Sequence, residues 1–187
     1  MAAKTRYSAS DITIEPLNPN ENLSRFTCGN KELDDFFHKE VVLCCKYKYL
    51  SAYCVKSVRN GDILCLFTLS NDVVSLDSED VESLKDGMDK EYKFIFENQS
   101  SFPSVNIGHL AVRKDVQSKG IGRIVILYIA NILISYNFTG VQFITVDSMN
   151  NPRTNKFYST NGFLNQSNGD ISNKTRRMYF SLMDYIE

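Results

Sequence analysis

The segment 117–123 (QSKGIGR) places two glycines and two cations directly before a long apolar stretch. A helix interior disfavours glycine by about 0.5–1 kcal/mol relative to alanine, whereas a helix start that a ligand must approach closely can use it. Amides in the first turn of a helix have no intrahelical partner and attract anions. The spacing therefore predicts that backbone amides of this segment bind a phosphate group, with Lys119 and Arg123 adding positive charge.

Two other phosphate-binding signatures do not fit this segment. A Walker loop requires G-x-x-x-x-G-K-[ST], which the chain does not contain. A dinucleotide fingerprint requires G-x-G-x-x-G, and Val125 stands where its third glycine would be. A single G-x-G is also typical of a loop in which glycine serves only the backbone geometry, so both interpretations stay open on these residues alone.

A second segment, 151–163 (NPRTNKFYSTNGF), has the signals of a short helix. Asn151 is a polar N-cap followed by proline at the first helical position, and Asn161-Gly162 is a suitable left-handed exit. Tyr158 falls inside this helix. From periodicity alone, Tyr158 is more typical of a core aromatic beside Phe157 and Phe163 than of a functional group.

Hydrophobic periodicity and turn signals predict alternating strands and helices along the chain. The predicted strands are 11–16, 50–58, 63–69, 104–112, 141–146 and 175–183, and the predicted helices are 26–46 with Asn30 as N-cap, 77–88, 120–136 and 151–160. The turn at Asn60-Gly61-Asp62 predicts a hairpin. This order predicts an α/β (α+β) fold, a single domain over residues 1–187 with one mixed sheet covered by helices.

Composition excludes several classes of protein. The chain has 187 residues, of which 43% are hydrophobic and 23% charged, and it has no apolar run long enough to span a membrane. Its five cysteines are odd in number and lack C-x-x-C spacing, which argues against a disulfide framework and a zinc site. The N-terminal residues lack a secretory signal, so we expect a cytoplasmic protein. A net charge of −1 argues against general nucleic-acid binding.

The motif Leu110-Ala111-Val112-(x4)-Gln117-x-x-Gly120-x-Gly122 resembles the acetyl-coenzyme A binding motif of the GNAT (Gcn5-related) N-acetyltransferase superfamily. Residues 151–163 resemble the family's N-x-x-A-x-x-F-Y-x-x-x-G-F, with Thr154 in place of alanine. Two motifs in the right order make the resemblance specific across 104–163. It implies a GNAT-like central mixed, mostly antiparallel sheet flanked by helices.

The resemblance also implies a reaction with acetyl-CoA as cosubstrate and no metal. Backbone groups of Leu110–Val112 would pair with the pantetheine arm, and the amide near Val112 would polarise the thioester carbonyl. Tyr158 would donate a proton to the leaving thiolate after direct attack by an amine. The implied cofactor-binding residues are Leu110, Ala111, Val112, Gln117, Ser118, Lys119, Gly120, Ile121, Gly122, Arg123 and Asn151.

A general base is not evident in the sequence. Some relatives carry a glutamate or histidine on the strand before the pyrophosphate loop, where this chain has Asn106. His109 is nearby, but alternation along a strand places it on the face opposite Asn106. Deprotonation by water, or a substrate that arrives neutral, is an equal alternative.

The N-terminal half resembles a GNAT subfamily that contains toxins of toxin–antitoxin systems, through F-x-C-G-x-x-x-L-D-x-F-F at 26–37. Those toxins acetylate the amino group of aminoacyl-tRNA. The stretch 77–91 is acidic here, which opposes tRNA binding. We therefore expect an N-acetyltransferase that acts on a small-molecule, peptide or protein amine, with two alternatives. One is an aminoacyl-tRNA toxin, which would have an antitoxin partner, and the other is a non-catalytic acyl-CoA-binding domain.

Overall fold

A computed structural model describes residues 6–85, 93, 99–166 and 172–185 of the chain. Its strands are β1 (Ile12–Pro16), β2 (Ser51–Ser57), β3 (Ile63–Ser75), β4 (Ser101–Val112), β5 (Phe143–Met149), β6 (Leu164–Asn165) and β7 (Thr175–Ser181). Its helices are α1 (Lys31–Lys39), α2 (Val41–Lys46), α3 (Ser78–Lys85), α4 (Ile121–Ser135) and α5 (Pro152–Ser159). Short 3-10 turns occur at Ala9–Asp11, Lys114–Val116 and Met183–Tyr185.

The strands form one sheet in the order β1-β2-β3-β4-β5-β7-β6. Antiparallel pairs join β1 to β2, β2 to β3, β5 to β7 and β6 to β7. The pair β4–β5 is parallel, with Ser104–Asn106 opposite Phe143–Thr145. This mostly antiparallel, mixed sheet with helices between its strands confirms the predicted fold class.

The chain divides into two compact units, each built from two stretches. The first unit comprises Met1–Ser70 and Ile107–Ile129, and the second comprises Asn71–Asn106 and Ala130–Glu187. Strands β3 and β4 and helix α4 contribute residues to both units. The single domain over 1–187 stays a prediction.

The core of the first unit joins α1 and α2 to the sheet. Phe37, Val41, Leu66 and Ala111 are buried in one hydrophobic cluster. The apolar stripe of α1 predicted this contact, because side chains three and four residues apart share one helix face. Since Ala111 belongs to this cluster, packing fixes the end of β4 that carries the first motif.

The predicted helix 26–46 was wrong in its extent. Helix α1 begins only after Asn30, whose side chain caps it by accepting a hydrogen bond from the Leu33 amide at 3.2 Å. Upstream, the Asp34 carboxylate accepts hydrogen bonds from Thr27 Oγ1 and the Cys28 amide, which holds that segment outside the helix. The helix also breaks at Glu40. The apolar periodicity continues across this break, so the pattern could not reveal it.

The second unit has its own aromatic core. Phe102, Phe143 and Tyr179 pack with Val74 and Leu76, and Val81 and Leu84 of α3 cover them. The Tyr179 hydroxyl donates to the Asp80 carboxylate at 3.2 Å. Burial, and secondarily Asp80, raises the pKa of Tyr179. The inward positions predicted for this helix are therefore confirmed, except for Met88, which lies outside the described residues.

Other boundaries differ by a few residues from the prediction. Strand β3 continues to Ser75 rather than ending at residue 69, and β4 begins three residues early, at Ser101. The short strand β6, which pairs with β7, was not predicted. Of the helices in the described part of the chain, none has the length and apolar character that crossing a membrane requires.

Candidate functional site

The phosphate-binding segment lies in the first unit, between β4 and α4. After β4 ends at Val112, one 3-10 turn (Lys114–Val116) leads to the loop, and α4 begins at Ile121. Val116 is 3% exposed and Ile121 is 1% exposed, whereas Ser118 between them is exposed. Both ends of the loop are thus anchored in the core while its centre faces outward.

The side chain of Gln117 fastens the loop to the end of the motif strand. Its Nε2 donates to the carbonyl oxygens of Cys28 at 2.7 Å and Val112 at 3.0 Å. A carboxamide nitrogen has two hydrogens, and both are used here. The carbonyl of Lys119 accepts from the Tyr7 amide at 2.9 Å. Gln117 therefore acts in the structure as a clamp on the backbone around the predicted phosphate site.

Two residues of the loop have left-handed backbone conformations, Ser118 with φ of 60° and Gly120 with φ of 93°. A Cβ on Gly120 would meet only the Tyr7 carbonyl oxygen, at an ordinary 3.7 Å. Dihedral geometry, rather than crowding inside the protein, thus requires glycine here. Turns of this kind aim successive amides into one concavity, which suits an anion.

The first turn of α4 supplies further amides. The Ile124 amide donates to the Gly120 carbonyl at 3.1 Å, which is the first bond of the helix ladder. The amides of Ile121, Gly122 and Arg123 precede it, and helix geometry gives them no acceptor within the helix. The positive end of a 15-residue helix dipole lies at this point. The loop and the helix start together form a suitable cradle for a pyrophosphate.

The cations near this loop divide into two groups. Arg113 is held by Asp115 at 2.7 Å and by Asp62 at 3.4 Å, so its charge is already compensated. Lys119 and Arg123 form no ion pair within the described part of the chain. These two are the side chains that the sequence predicted to add charge at the phosphate site.

The second motif lies in the second unit, on α5. Asn151 caps this helix, and its Oδ1 accepts from the Thr154 amide at 3.0 Å and from the Thr154 hydroxyl at 3.1 Å. The threonine that departs from the family pattern thus contributes to the cap. Tyr158 is 6% exposed, with ring centroids 5.0 Å from Phe157 and 5.2 Å from Phe163. The structure therefore places Asn151 and Tyr158 in one unit, and the residues 110–112 and 117–123 together in the other.

His109 and Asn106 have different surroundings. The His109 ring stacks on Phe36 with centroids 3.6 Å apart, and its Nδ1 lies 3.0 Å from Thr68 Oγ1. Burial lowers the pKa of His109, so the neutral ring predominates near pH 7. This packing accounts for His109 structurally. Asn106 instead contacts Thr145 on β5.

The sequence patterns did not indicate the polar network around Thr145. Thr145 and Arg177 both donate to the carboxylate of Asp72. These partners are 73 and 105 residues from Asp72 in the chain. No motif spacing connects them, and only the strand register of the folded sheet could have revealed the contact.

A cluster of possible metal-ligating side chains in the first unit already forms ion pairs with a lysine. Donor atoms of Glu15, Glu21 and Cys54 lie within 4.8 Å of one another. The ammonium of Lys56 lies 2.7 Å from Glu15 and 2.8 Å from Glu21. A lysine in this position supplies the charge that a cation would otherwise bring.

Comparison with known families identifies the segment that contains both motifs. Residues 91–163 match the model of the Acetyltransferase (GNAT) family. Over these residues the chain is similar to GNAT acetyltransferases. The resemblance drawn from the two motifs is therefore confirmed for this segment. No curated protein matches this chain at a significant level.

Solved structures similar to this chain include bacterial toxins. AtaT complexed with acetyl-methionyl-tRNAfMet is 22% identical, with a TM-score of 0.72 over 94% of this chain and 97% of that one. A tyrosine-to-phenylalanine mutant of KacT is 18% identical, with a TM-score of 0.73 over 93% and 96%. AtaTR bound with AcCoA is 22% identical, with a TM-score of 0.67 over 94% and 96%. At these identities the likeness shows a shared fold.

Proposed function

We propose that the chain transfers the acetyl group of acetyl-CoA to a primary amine, and that the amine belongs to aminoacyl-tRNA. The observation that carries the first half is the 117–123 loop. In this loop the Gln117 side chain holds the backbone by hydrogen bonds, and two residues have left-handed conformations. The first amides of α4 follow, and the whole loop lies within the segment that matches the GNAT family. The proposed cofactor-binding residues are those predicted from the sequence, 110–112, 117–123 and Asn151.

Each part of the first unit would have one role in this reaction. Backbone amides from 117 to 123 would hold the pyrophosphate, with Lys119 and Arg123 beside it. The end of β4 would pair with the pantetheine arm as a strand does. An amide of Leu110–Val112 would polarise the thioester carbonyl, which is an oxyanion-type contribution. Gln117 would act indirectly, by keeping the loop in place.

The chemical step needs a proton for the leaving group. The acceptor nitrogen forms a bond to the acetyl carbon, the carbon–sulfur bond breaks, and the Tyr158 hydroxyl gives its proton to the thiolate. The proton that the amine loses passes to water. This use of Tyr158 distinguishes an enzyme from a non-catalytic acyl-CoA-binding domain, which needs no acid.

The proposed acceptor rests on similarity to the toxins and on the role of two acidic residues. The similar AtaT structure contains acetyl-methionyl-tRNAfMet, and the match covers both halves of the chain. The acidic stretch had argued against tRNA. However, Asp77 Oδ1 accepts the Asp80 amide at 2.9 Å at the start of α3, and Asp80 binds the Tyr179 hydroxyl. These two carboxylates serve the fold, which weakens that objection.

A smaller amine is the second candidate acceptor, because the net charge of −1 gives little general attraction for nucleic acid. Transfer of label from radioactive acetyl-CoA to a mixed aminoacyl-tRNA pool separates the two candidates, with a panel of small amines and peptides run in parallel. We expect label on the tRNA fraction that disappears with Tyr158→Phe. Label only on small amines would show that the acceptor is a small amine and not aminoacyl-tRNA. No label on any acceptor would overturn the proposed function.

A tRNA acceptor would also imply a protein partner that silences the enzyme. The similar AtaT toxin was solved bound to the C-terminus of the antitoxin AtaR, at 22% identity and a TM-score of 0.68. We propose an antitoxin partner for this chain on the same basis. Co-expression of the chain with the neighbouring reading frame, followed by the transfer assay, would show whether that product suppresses acetylation.

A further inference from the structure

The N-terminal motif at 26–37 has no role in the proposed reaction, yet its first residues contact the phosphate-binding segment. Both stretches belong to the first unit. The Thr27 carbonyl accepts a hydrogen bond from the Lys114 amide at 2.9 Å, and the Cys28 carbonyl accepts one from Gln117 Nε2 at 2.7 Å. Two successive carbonyls of the motif therefore bind both the turn that leads to the loop and the first residue of the loop.

Asp34, in the first turn of α1, binds the other side of the same two residues. One of its carboxylate oxygens accepts from Thr27 Oγ1 at 2.6 Å, and the other accepts from the Cys28 amide at 2.8 Å. Thr27 Oγ1 also accepts from the Gly29 amide at 3.1 Å, so its own proton is available for Asp34. Thr27 and Cys28 thus each connect the Asp34 carboxylate to the loop segment.

The Asp34 carboxylate is a firm support for these two residues. Burial raises the pKa of this carboxyl, but the hydrogen bonds from Thr27 and Cys28 outweigh burial and hold the pKa below its ordinary value of 3.8. Asp34 is therefore ionised at neutral pH, and hydrogen bonds to an ionised acceptor are stronger than those to a neutral one. The helix that carries Asp34 is itself anchored, because Phe37 one turn later is buried in the core.

The loop needs support from outside because of its own backbone. Ser118 has φ of 60°, a left-handed conformation that is disfavoured for a residue with a Cβ. Such a conformation persists only where the surrounding structure determines it. The contacts with Thr27 and Cys28 are part of that surrounding structure. If they weakened, the loop would relax and its amides would lose the direction that suits an anion.

We propose that Asp34 is a positioning residue for acetyl-CoA binding, which acts through Thr27 and Cys28 on the backbone of the 117–123 loop. The assignment rests on the proposed function, because it takes this loop as the pyrophosphate site. Asp34 does not touch the coenzyme in this assignment. Its two oxygens are directed to Thr27 and Cys28, and a carboxylate beside a pyrophosphate would repel it.

Calorimetric titration with acetyl-CoA tests the assignment without the need for an acceptor. Asp34→Ala removes the carboxylate, and Thr27→Val keeps the shape of the side chain but removes the hydroxyl. We expect each to raise the Kd about 3- to 10-fold, because a hydrogen bond to a charged group is lost and the loop is held less firmly. Thr27→Ser retains the hydroxyl and should keep the wild-type Kd.

Asp35→Ala is the matched control. Asp35 is the neighbouring aspartate of α1, but its carboxylate pairs with Lys31 and Lys39 on the same helix. The variant should keep the wild-type Kd for acetyl-CoA. Hydrogen exchange without the coenzyme gives a second comparison, because amides in 113–123 should exchange faster in Asp34→Ala than in Asp35→Ala.

A double-mutant cycle separates positioning from a general loss of stability. Gln117→Ala removes the donor to the Cys28 carbonyl, so Asp34 can no longer act on the loop through this contact. The double variant with Asp34→Ala should therefore raise the Kd by clearly less than the product of the two single effects. Independent structural effects would instead multiply.

The outcomes distinguish this assignment from the proposed function. A wild-type Kd in both Asp34→Ala and Thr27→Val would overturn the assignment while the proposed function stands. An equal rise in Asp35→Ala, or effects that multiply in the cycle, would do the same. If Asp34→Ala does not fold, Thr27→Val at its exposed position decides the question. Absence of acetyl-CoA binding by the wild-type chain would overturn both.

Discussion

Tyr158 combines a structural surrounding with a proposed chemical role. Its ring is packed between Phe157 and Phe163, so Tyr158→Phe retains the packing and removes only the hydroxyl. We expect kcat to fall by about 10²-fold or more, because general-acid assistance is lost, with an unchanged Kd for acetyl-CoA. Stopped-time transfer assays and calorimetry measure the two quantities.

Tyr179→Phe is the matched control for this prediction. Its hydroxyl is bound to Asp80 in the core of the second unit. It should lower the free energy of unfolding without a comparable effect on kcat, since a buried hydrogen bond contributes about 0.5–1.5 kcal/mol. Equal kcat in Tyr158→Phe and the wild type would remove Tyr158 from the mechanism.

His109 makes stability depend on pH in a predictable direction. Burial lowers the pKa of His109 below its ordinary value of 6.5, so the unfolded chain binds this proton more readily than the folded chain does. The stabilising effect is complete above about pH 6.5 and is lost as the pH falls towards the folded pKa. Urea unfolding between pH 7.5 and 5 should therefore show a steeper loss in the wild type than in His109→Gln, and parallel curves would contradict this.

At the scale of elements, the loop before α4 depends on one dihedral angle. Gly120→Ala forces a side chain into a left-handed conformation at φ of 93°, which costs about 1–2 kcal/mol. If the backbone relaxes this strain, the loop amides turn away from the proposed pyrophosphate site. We therefore expect weaker binding of acetyl-CoA, measured by calorimetry, and a lower Tm. Gly61→Ala, at φ of 71° with open space around it, carries a similar strain in the β2–β3 hairpin. It should lower the Tm and leave the affinity intact.

The elements that the sequence predicted well are those with local signals. Asn30 and Asn151 are caps next to apolar helix faces, and Gly61 forms the turn of a hairpin, so each prediction needed only neighbouring residues. The break of the helix at Glu40 has no such signal, since the apolar stripe runs through it. The loop 117–123 was found because its residues are contiguous. The hydrogen bonds that link Asn106, Thr145 and Asp72 depend on which strands become neighbours in the sheet. No short stretch of the sequence indicates that pairing.

At the scale of the whole molecule, the five cysteines are all free and differ in burial. Burial raises the pKa of Cys28 and of Cys54 to about 11, and it also raises the pKa of the fully enclosed Cys65. Burial raises the pKa of the half-buried Cys45 as well. Because the reagent must reach the sulfur, iodoacetamide at pH 7.5 should modify the half-buried Cys44 and Cys45 before the three buried cysteines. Peptide mass spectrometry, with a urea-unfolded sample as control, measures the order. Early modification of Cys54 would contradict the described burial.

The division into two units has a consequence for how the protein is made. A ribosome completes Met1–Ser70 well before Ile107–Ile129, although both stretches belong to one unit. Synthesis of the 41 residues from Ser70 to Ala111 takes about 2–8 s at usual rates. During this interval Phe37 and Leu66 lack Ala111, their partner in the core, and α4 has not been synthesised. The nascent chain therefore exposes half of a core for several seconds, which is long enough for holding chaperones to bind it.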